Sequence, residues 1–325
     1  MSTPRSRSVL AAAARLYYVD GLSQAEAAAK LGMTRSNLSR VLTAAREQGV
    51  IEFRVHDEAD RDFESEAELV AAFDLRGARV ISSPADRPAL PAVAQCAARM
   101  LEEALVGARV VAVSWGATVR AVVEALTETT SPDLRVVQLV GGLTSFEPHV
   151  SAHDLVRELG RRLGASYLYL NAPGVFDSIE ALNVLSAEQS ISSTLELARQ
   201  ADVALVGIGN PAHGSSQALL RQLASGSGEL AKFRSAGPVG DVCGRYYDAI
   251  GQPLEIPGIS DRVLAIDIPA LRQVPVSIGV AVGRAKSGAV LGALRGGLIN
   301  TLVCDEALAR ELFAHPGSGA ADSRP

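Results

Sequence analysis

Two groups of residues in this chain have the types and spacing to do chemistry. The first is Thr34, Arg35, Ser36, Asn37 and Arg40, gathered within two helical turns. Arginine and asparagine form paired hydrogen bonds to guanine and adenine edges, and hydroxyls suit phosphates or bases. This set therefore reads as a nucleic-acid face, with Arg40 on phosphate. The second is Ser114-Trp115-Gly116-Ala117-Thr118, which follows an apolar run and opens a helical one. Glycine there lets a ligand approach the backbone, Ser114 and Thr118 donate, and a helix N-terminus favours an anion. Gly141-Gly142 and Gly207-Ile208-Gly209 follow later apolar runs, and Lys286 opens another helix with a mobile positive charge suited to phosphate. Each glycine alone also fits a plain tight turn. Taken together with Ser114, Thr118 and Lys286, they describe an anion pocket.

Other chemistries fail on spacing. Gly279, Gly283 and Lys286 lack the nucleotide-binding Walker pattern, Gly207-Ile208-Gly209 lacks the third glycine of a dinucleotide fingerprint, and no G-x-S-x-G elbow occurs. His149 and His153 stand four apart, as zinc ligands do on a helix, but no third ligand accompanies them and they read as helix-surface histidines. His213, in a polar loop, reads as solvated. A Schiff base between Lys286 and an open-chain aldose is conceivable, but nothing in the sequence shows a desolvated amine. Cys96, Cys243 and Cys304 are odd in number and lack C-x-x-C spacing, so they read as buried thiols of a reducing cytoplasm. No metal and no cofactor is expected.

These residues need elements to hold them. The chain has 325 residues, 48% of them hydrophobic and 21% charged, enough for two domains and a sizeable core. No apolar run approaches the ~18–20 residues of a membrane helix, so no membrane partner is expected. The net charge of −5 is unevenly spread: residues 1–57 carry eight basic groups against five acidic ones. A basic head on an acidic body suggests that one end meets polyanion.

In that head, a helix from Arg5 to Val19 stops at Asp20-Gly21. A capping box, Ser23 to Glu26, opens a second helix ending at Gly32, and Thr34 caps a third that runs to about Gln48. Small Ala28 at the crossing, Gly32 in the turn and inward Leu38 make a helix-turn-helix, and the alternation of Val50–Val55 adds a wing. A charged connector, His56–Glu68, follows. Beyond it, apolar strands alternate with helical segments: Arg79–Ile81, Val110–Val113, Val136–Val140, Tyr167–Leu170, Val203–Gly207, Val263–Ile266, Pro275–Ile278 and Thr301–Val303. That pattern predicts an α/β domain with a doubly wound, mostly parallel sheet. The expected division is 1–56 for DNA binding, 57–315 for the α/β body, to which the family resemblance described next assigns effector binding and oligomerisation, and a disordered tail at 316–325.

The segment AARLYYVDGLSQAEAAAKLGMTRSNLSRVLTAAREQGVIEFRV resembles the N-terminal domain of the SorC family of sugar-responsive bacterial transcriptional regulators. SWGAT at Ser114–Thr118, QLVGG at Gln138–Gly142, Ala172-Pro173, VGIG at Val206–Gly209, GDVCGRYYD at Gly240–Asp248 and VAVGRAKSGAVLGALRGGLIN at Val280–Asn300 continue the likeness in order, as does LVCDE. The resemblance covers about residues 5–313. It implies a body similar to sugar-phosphate isomerases, a homotetramer formed by effector domains, and a sugar phosphate or polyol as effector. By the same resemblance the loop with Ser114, Gly116, Ala117 and Thr118, together with Gly141, Gly142 and Lys286, cradles phosphate, and Asp241 bonds sugar hydroxyls; Asp241 could equally cap the following turn. The expected function is a non-enzymatic regulator of carbohydrate metabolism whose operator affinity is set by that effector. Two alternatives stand beside it: an isomerase- or deaminase-like enzyme with a fused DNA-binding head, and a constitutive DNA-binding scaffold.

Overall fold

Polar residues at helix starts set the layout of the head. In the computed structural model, which describes residues 6–51, 60–83, 87–142, 152–224 and 226–314, Ser6 caps α1 (Arg7–Ala14), and one π-helical turn, Arg15–Val19, ends it. Ser23 opens α2 (Gln24–Lys30) with a capping box: its hydroxyl accepts from the Glu26 N–H at 3.3 Å, and its own N–H donates to the Glu26 carboxylate at 2.9 Å. The Thr34 hydroxyl accepts from the Asn37 N–H at 3.2 Å and starts α3 (Arg35–Glu47). Leu10, Ala13, Ala27, Ala28, Leu38, Val41, Leu42 and Ala45 close a small core between the three helices. The connector up to residue 59 and most of the expected wing lie outside the described residues, as do the 316–325 tail and His149. Val50 and Ile51 are described, pack on the head's core and are not strand.

The chain divides into two compact units, Met1–Ala59 and Asp60–Pro325. The second runs α4 (Phe63–Phe73), β1 (Gly77–Ile81), α5 (Leu90–Ala104), β2 (Val110–Val113), α6 (Ala117–Ala125), β3 (Arg135–Gln138), α7 (Ala152–Leu163) and β4 (Ser166–Leu168). It continues through α8 (Ile179–Ser186), α9 (Gln189–Arg199), β5 (Val203–Gly207), α10 (Gly214–Leu223), α11 (Ser227–Ala236) and the hairpin β6 (Gly240–Val242) to β7 (Arg245–Tyr247). It ends with α12 (Ile268–Gln273), β8 (Val276–Ala281), α13 (Ser287–Arg295), β9 (Thr301–Asp305) and α14 (Glu306–Ala314).

Seven strands form one all-parallel sheet in the order β1-β9-β8-β5-β2-β3-β4. Both faces are buried. Val110 and Ala112 belong to one core while Val111 and Val113 belong to the other, as a period of two requires of a doubly wound sheet. From β2 the chain moves outward through β3 and β4, then returns to lay β5 on the opposite side of β2. The crevice between β2 and β5 is therefore a topological switch point, where open α/β sheets bind their ligands.

Two features depart from the expected strands. Val263–Ile266 is no ladder strand; Val263 and Ala265 make isolated antiparallel bridges to Val175 and Val140. The Arg245 guanidinium draws off the local carbonyls, donating to Ser260, Ala265 and Ile266 at 3.2, 2.9 and 3.3 Å. The β6–β7 hairpin was not foreseen. Cys243 and Gly244 both take positive φ, 55° and 74°, the geometry of a two-residue hairpin turn.

Candidate functional site

At the carboxyl ends of β2, β5 and β8 lies a cavity of about 350 Å³. Three turns that begin helices meet on it: Gly116-Ala117-Thr118 at the start of α6, His213 to Ser216 at the start of α10, and Ala285-Lys286 in the short turn that leads into α13. First-turn amides have no carbonyl partner within their own helix, so the starts of α6 and α10 offer donors and a partial positive charge, whereas the Lys286 N–H already donates to the Gly283 carbonyl at 3.1 Å and that turn contributes its side chain. Gly116 holds φ at 124°, which swings the chain from strand into α6 without a side chain in the mouth.

Two titratable side chains line the cavity here, Lys286 and Asp241. Lys286 Nζ donates to the Ile208 carbonyl at 2.8 Å, which leaves two of its three N–H donors for other acceptors. Burial pushes the ammonium below its ordinary range, against the pull of Asp241. Asp241 is buried; the Ser216 hydroxyl donates to its Oδ1, and the Gly244 N–H donates to Oδ2 at 3.2 Å. Burial raises its carboxyl above the usual range, a shift opposed by those two donors and by Lys286. Its backbone pairs with Gly209 in both directions, at 2.8 and 3.2 Å. Only glycine fits at 209, because a Cβ there would stand 2.1 Å from Asp241 Oδ1. Asn210 ties two rims of the cavity together, its Nδ2 donating to the Ala285 carbonyl at 2.6 Å and its Oδ1 accepting from the Ala212 N–H at 2.9 Å.

The structure brings together Gly116, Ala117, Thr118, Gly207, Ile208, Gly209, Asp241 and Lys286 from the residues read in the sequence, and it sets three others apart. Ser114 is buried behind the cavity; its hydroxyl accepts from the Gly207 N–H at 3.2 Å and donates to the Trp115 carbonyl at 3.3 Å, so it ties β2 to β5. Gly141 and Gly142 lie outside the lining. Their N–H groups donate to the carbonyls of Leu264 and Ala172 at 2.9 and 2.8 Å, and so are already spent on backbone. The expectation that Gly141 and Gly142 cradle phosphate together with Lys286 is not met by this cavity, whose lining leaves them out.

Sequence reasoning missed Trp115, Asn210, Ser215, Ser216 and Cys243, and it left His213 to solvent; all six line the cavity. Gly207–Ser216 carried a signal for four of them: a glycine pair, an Asn-Pro turn and two serines at a helix start repeat the logic of Ser114–Thr118. His153, read as a helix-surface residue, is half-buried with its ring 5.0 Å from that of Tyr169. Among the described residues no cluster of histidine, cysteine and carboxylate side chains could hold a metal.

In the head, a concavity is lined by Ala29, Gly32, Met33, Thr34, Ser36, Asn37 and Arg40. Thr34, Ser36 and Arg40 are exposed and Asn37 is half-buried. Arg35 is exposed but lies off this lining. The Thr34 hydroxyl already serves as the cap of α3, so it has less to offer a nucleic acid than its position suggests.

The Sugar-bind family model, a sugar-binding domain, matches residues 57–314. The sorbitol operon regulator of Klebsiella pneumoniae is 31% identical over 309 residues, covering 92% of this chain and 96% of that protein. The transcriptional regulator LsrR of Enterobacter sp. (strain 638) is 30% identical over 310 residues, with 95% and 94% covered. The crystal structure of the full-length Klebsiella regulator SorC superposes with a TM-score of 0.79 at 29% identity, covering 95% of this chain and 99% of that one. With a parallel α/β body, a helix-turn-helix head and these relatives along nearly its whole length, the chain belongs to the SorC family of sugar-binding transcriptional regulators.

Proposed function

We propose that this regulator binds a phosphorylated sugar in the cavity at the β2–β5 switch point and that this ligand sets the affinity of the head for operator DNA. The observation that carries the reading is the meeting of two helix starts and Lys286 on one cavity of about 350 Å³. Such a cavity falls within the roughly 300–1,000 Å³ of small-molecule sites. Fixed amides and one ammonium recognise an anion, and a dianionic phosphate ester uses more of them than a neutral polyol.

In the head, Arg35, Ser36 and Asn37 read base edges in this proposal and Arg40 holds phosphate. A head this small gains affinity and symmetry by acting in copies, so a homo-oligomer, a tetramer, on a repeated or palindromic operator is part of the proposal. The role is sensing rather than turnover: both oxygens of the cavity's carboxylate, Asp241, already accept hydrogen bonds from the protein. A regulator on operator DNA works in the cytoplasm. For the switch, the ligand must bind one arrangement better than another, and a coupling of about 1–3 kcal/mol suffices.

The test is thermal unfolding against a panel of free sugars, polyols and their phosphates. A ligand of the folded state raises Tm with its concentration. Shifts confined to phosphorylated members are the expected outcome; shifts with free polyols alone would remove the phosphate from the proposal.

A further inference from the structure

Trp115 is the only tryptophan in the chain, and it stands on the wall of the cavity between Ser114 and the Gly116 that starts α6. Its backbone cannot move freely. The Ser114 hydroxyl bridges the Trp115 carbonyl and the Gly207 N–H, and the Ser114 N–H donates to the Leu205 carbonyl at 3.0 Å. The side chain is half-buried against the core on that face of the sheet. Among the described residues, four buried side-chain atoms lack a hydrogen-bond partner: Arg99 Nε, Trp115 Nε1, the Tyr246 hydroxyl and Asp261 Oδ1. Trp115 is the one of these four residues that lines the cavity.

A buried indole N–H without an acceptor costs free energy, and in folded proteins such a group ordinarily finds a partner. Here it is closed off from water, while the amides around the cavity and Lys286 are donors themselves. For that N–H to meet a ligand in the cavity, the indole must turn about its own side-chain torsions on a fixed backbone. That turn is repaid only when an acceptor oxygen waits there. The ring face beside it is apolar and flat, which suits the C–H face of a sugar.

We infer that Trp115 is the specificity-determining residue of the cavity, donating from Nε1 to a hydroxyl or ring oxygen of the ligand while its ring packs on the carbon skeleton. The inference rests on the reading of the cavity as a sugar-phosphate site and divides that site in two. The helix starts and Lys286 hold the anion, and the indole reads the rest.

The experiment compares wild type with Trp115→Phe, which keeps an aromatic ring and removes the donor. The probes are inorganic phosphate, ribose 5-phosphate, 2-deoxyribose 5-phosphate and glucitol 6-phosphate. For whichever sugar or polyol phosphate binds wild type most tightly, Trp115→Phe should raise Kd about tenfold, the loss of one well-placed hydrogen bond. Its Kd for inorganic phosphate should stay within about twofold. Equal affinity of both proteins for that ester overturns the inference, and so does an equal loss on ester and inorganic phosphate.

Because Trp115 is the sole indole, wild-type fluorescence supplies a second readout that needs no variant. A ligand that raises Tm must also shift the emission, and an unmoved spectrum at saturation counts against Trp115 even if the variant fails to fold. Failure of the underlying reading looks different, for then no phosphorylated probe binds wild type at all.

Discussion

Lys286 and Asp241 share the cavity but respond to charge in opposite ways. Lys286 has donors to spare, so Lys286→Met should weaken a phosphorylated ligand about 10- to 100-fold and leave an unphosphorylated one within about threefold, as isothermal titration would show. Asp241 places a carboxyl group on the lining of the proposed anion site. Burial keeps its proton on to a higher pH in the folded protein than the ordinary value of 3.8. The stability this group contributes is therefore complete below about pH 3.8 and is lost as pH rises through the folded value. Asp241→Asn cannot titrate. Its Tm relative to wild type should climb as pH rises from about 4, and a difference that stays level would remove Asp241 as a buried acid. A bound phosphate should draw further protons onto the pair, so binding should consume protons.

At the scale of elements, the site depends on close approach between the loop after β5 and the hairpin strand β6. Gly209→Ala puts a methyl against the Asp241 carboxylate and should cost about 1–3 kcal/mol in urea unfolding while weakening ligand binding as β6 shifts. Much of this arrangement could be read from the chain. Apolar runs gave seven of the sheet's strands to within a few residues, because buried parallel strands announce themselves by continuous Val, Ile and Leu. The Ser23–Glu26 box and the Thr34 cap were legible because capping is local chemistry. Two kinds of feature were hidden. The β6–β7 hairpin turns on a cysteine at positive φ, which no residue preference suggests. Gly141-Gly142 looks like Gly207–Gly209 in sequence, and only the folded sheet separates them, since the cavity lining takes in Gly207–Gly209 and leaves Gly141 and Gly142 out.

For the whole molecule, the two units predict separable losses. Arg40→Ala should weaken binding to every DNA sequence about equally and reduce the salt dependence by about one released counterion, as filter binding across salt concentrations would show. Asn37→Ala should cost about 1–3 kcal/mol on the operator and little on other DNA. In both variants the ligand-induced rise in Tm should match wild type. The placement of the cavity has a kinetic side as well. Its lining runs from Trp115 to Lys286 and is assembled by the pairing of β2, β5 and β8. Parallel strands pair only after long crossovers have closed, so this meeting comes after local helix formation. A chain still on its way to the native state has nothing with which to grip the ligand. Saturating ligand should therefore leave the refolding limb of a chevron plot where it was and lower the unfolding limb, so that the metabolite lengthens the lifetime of a finished regulator without hastening the making of a new one.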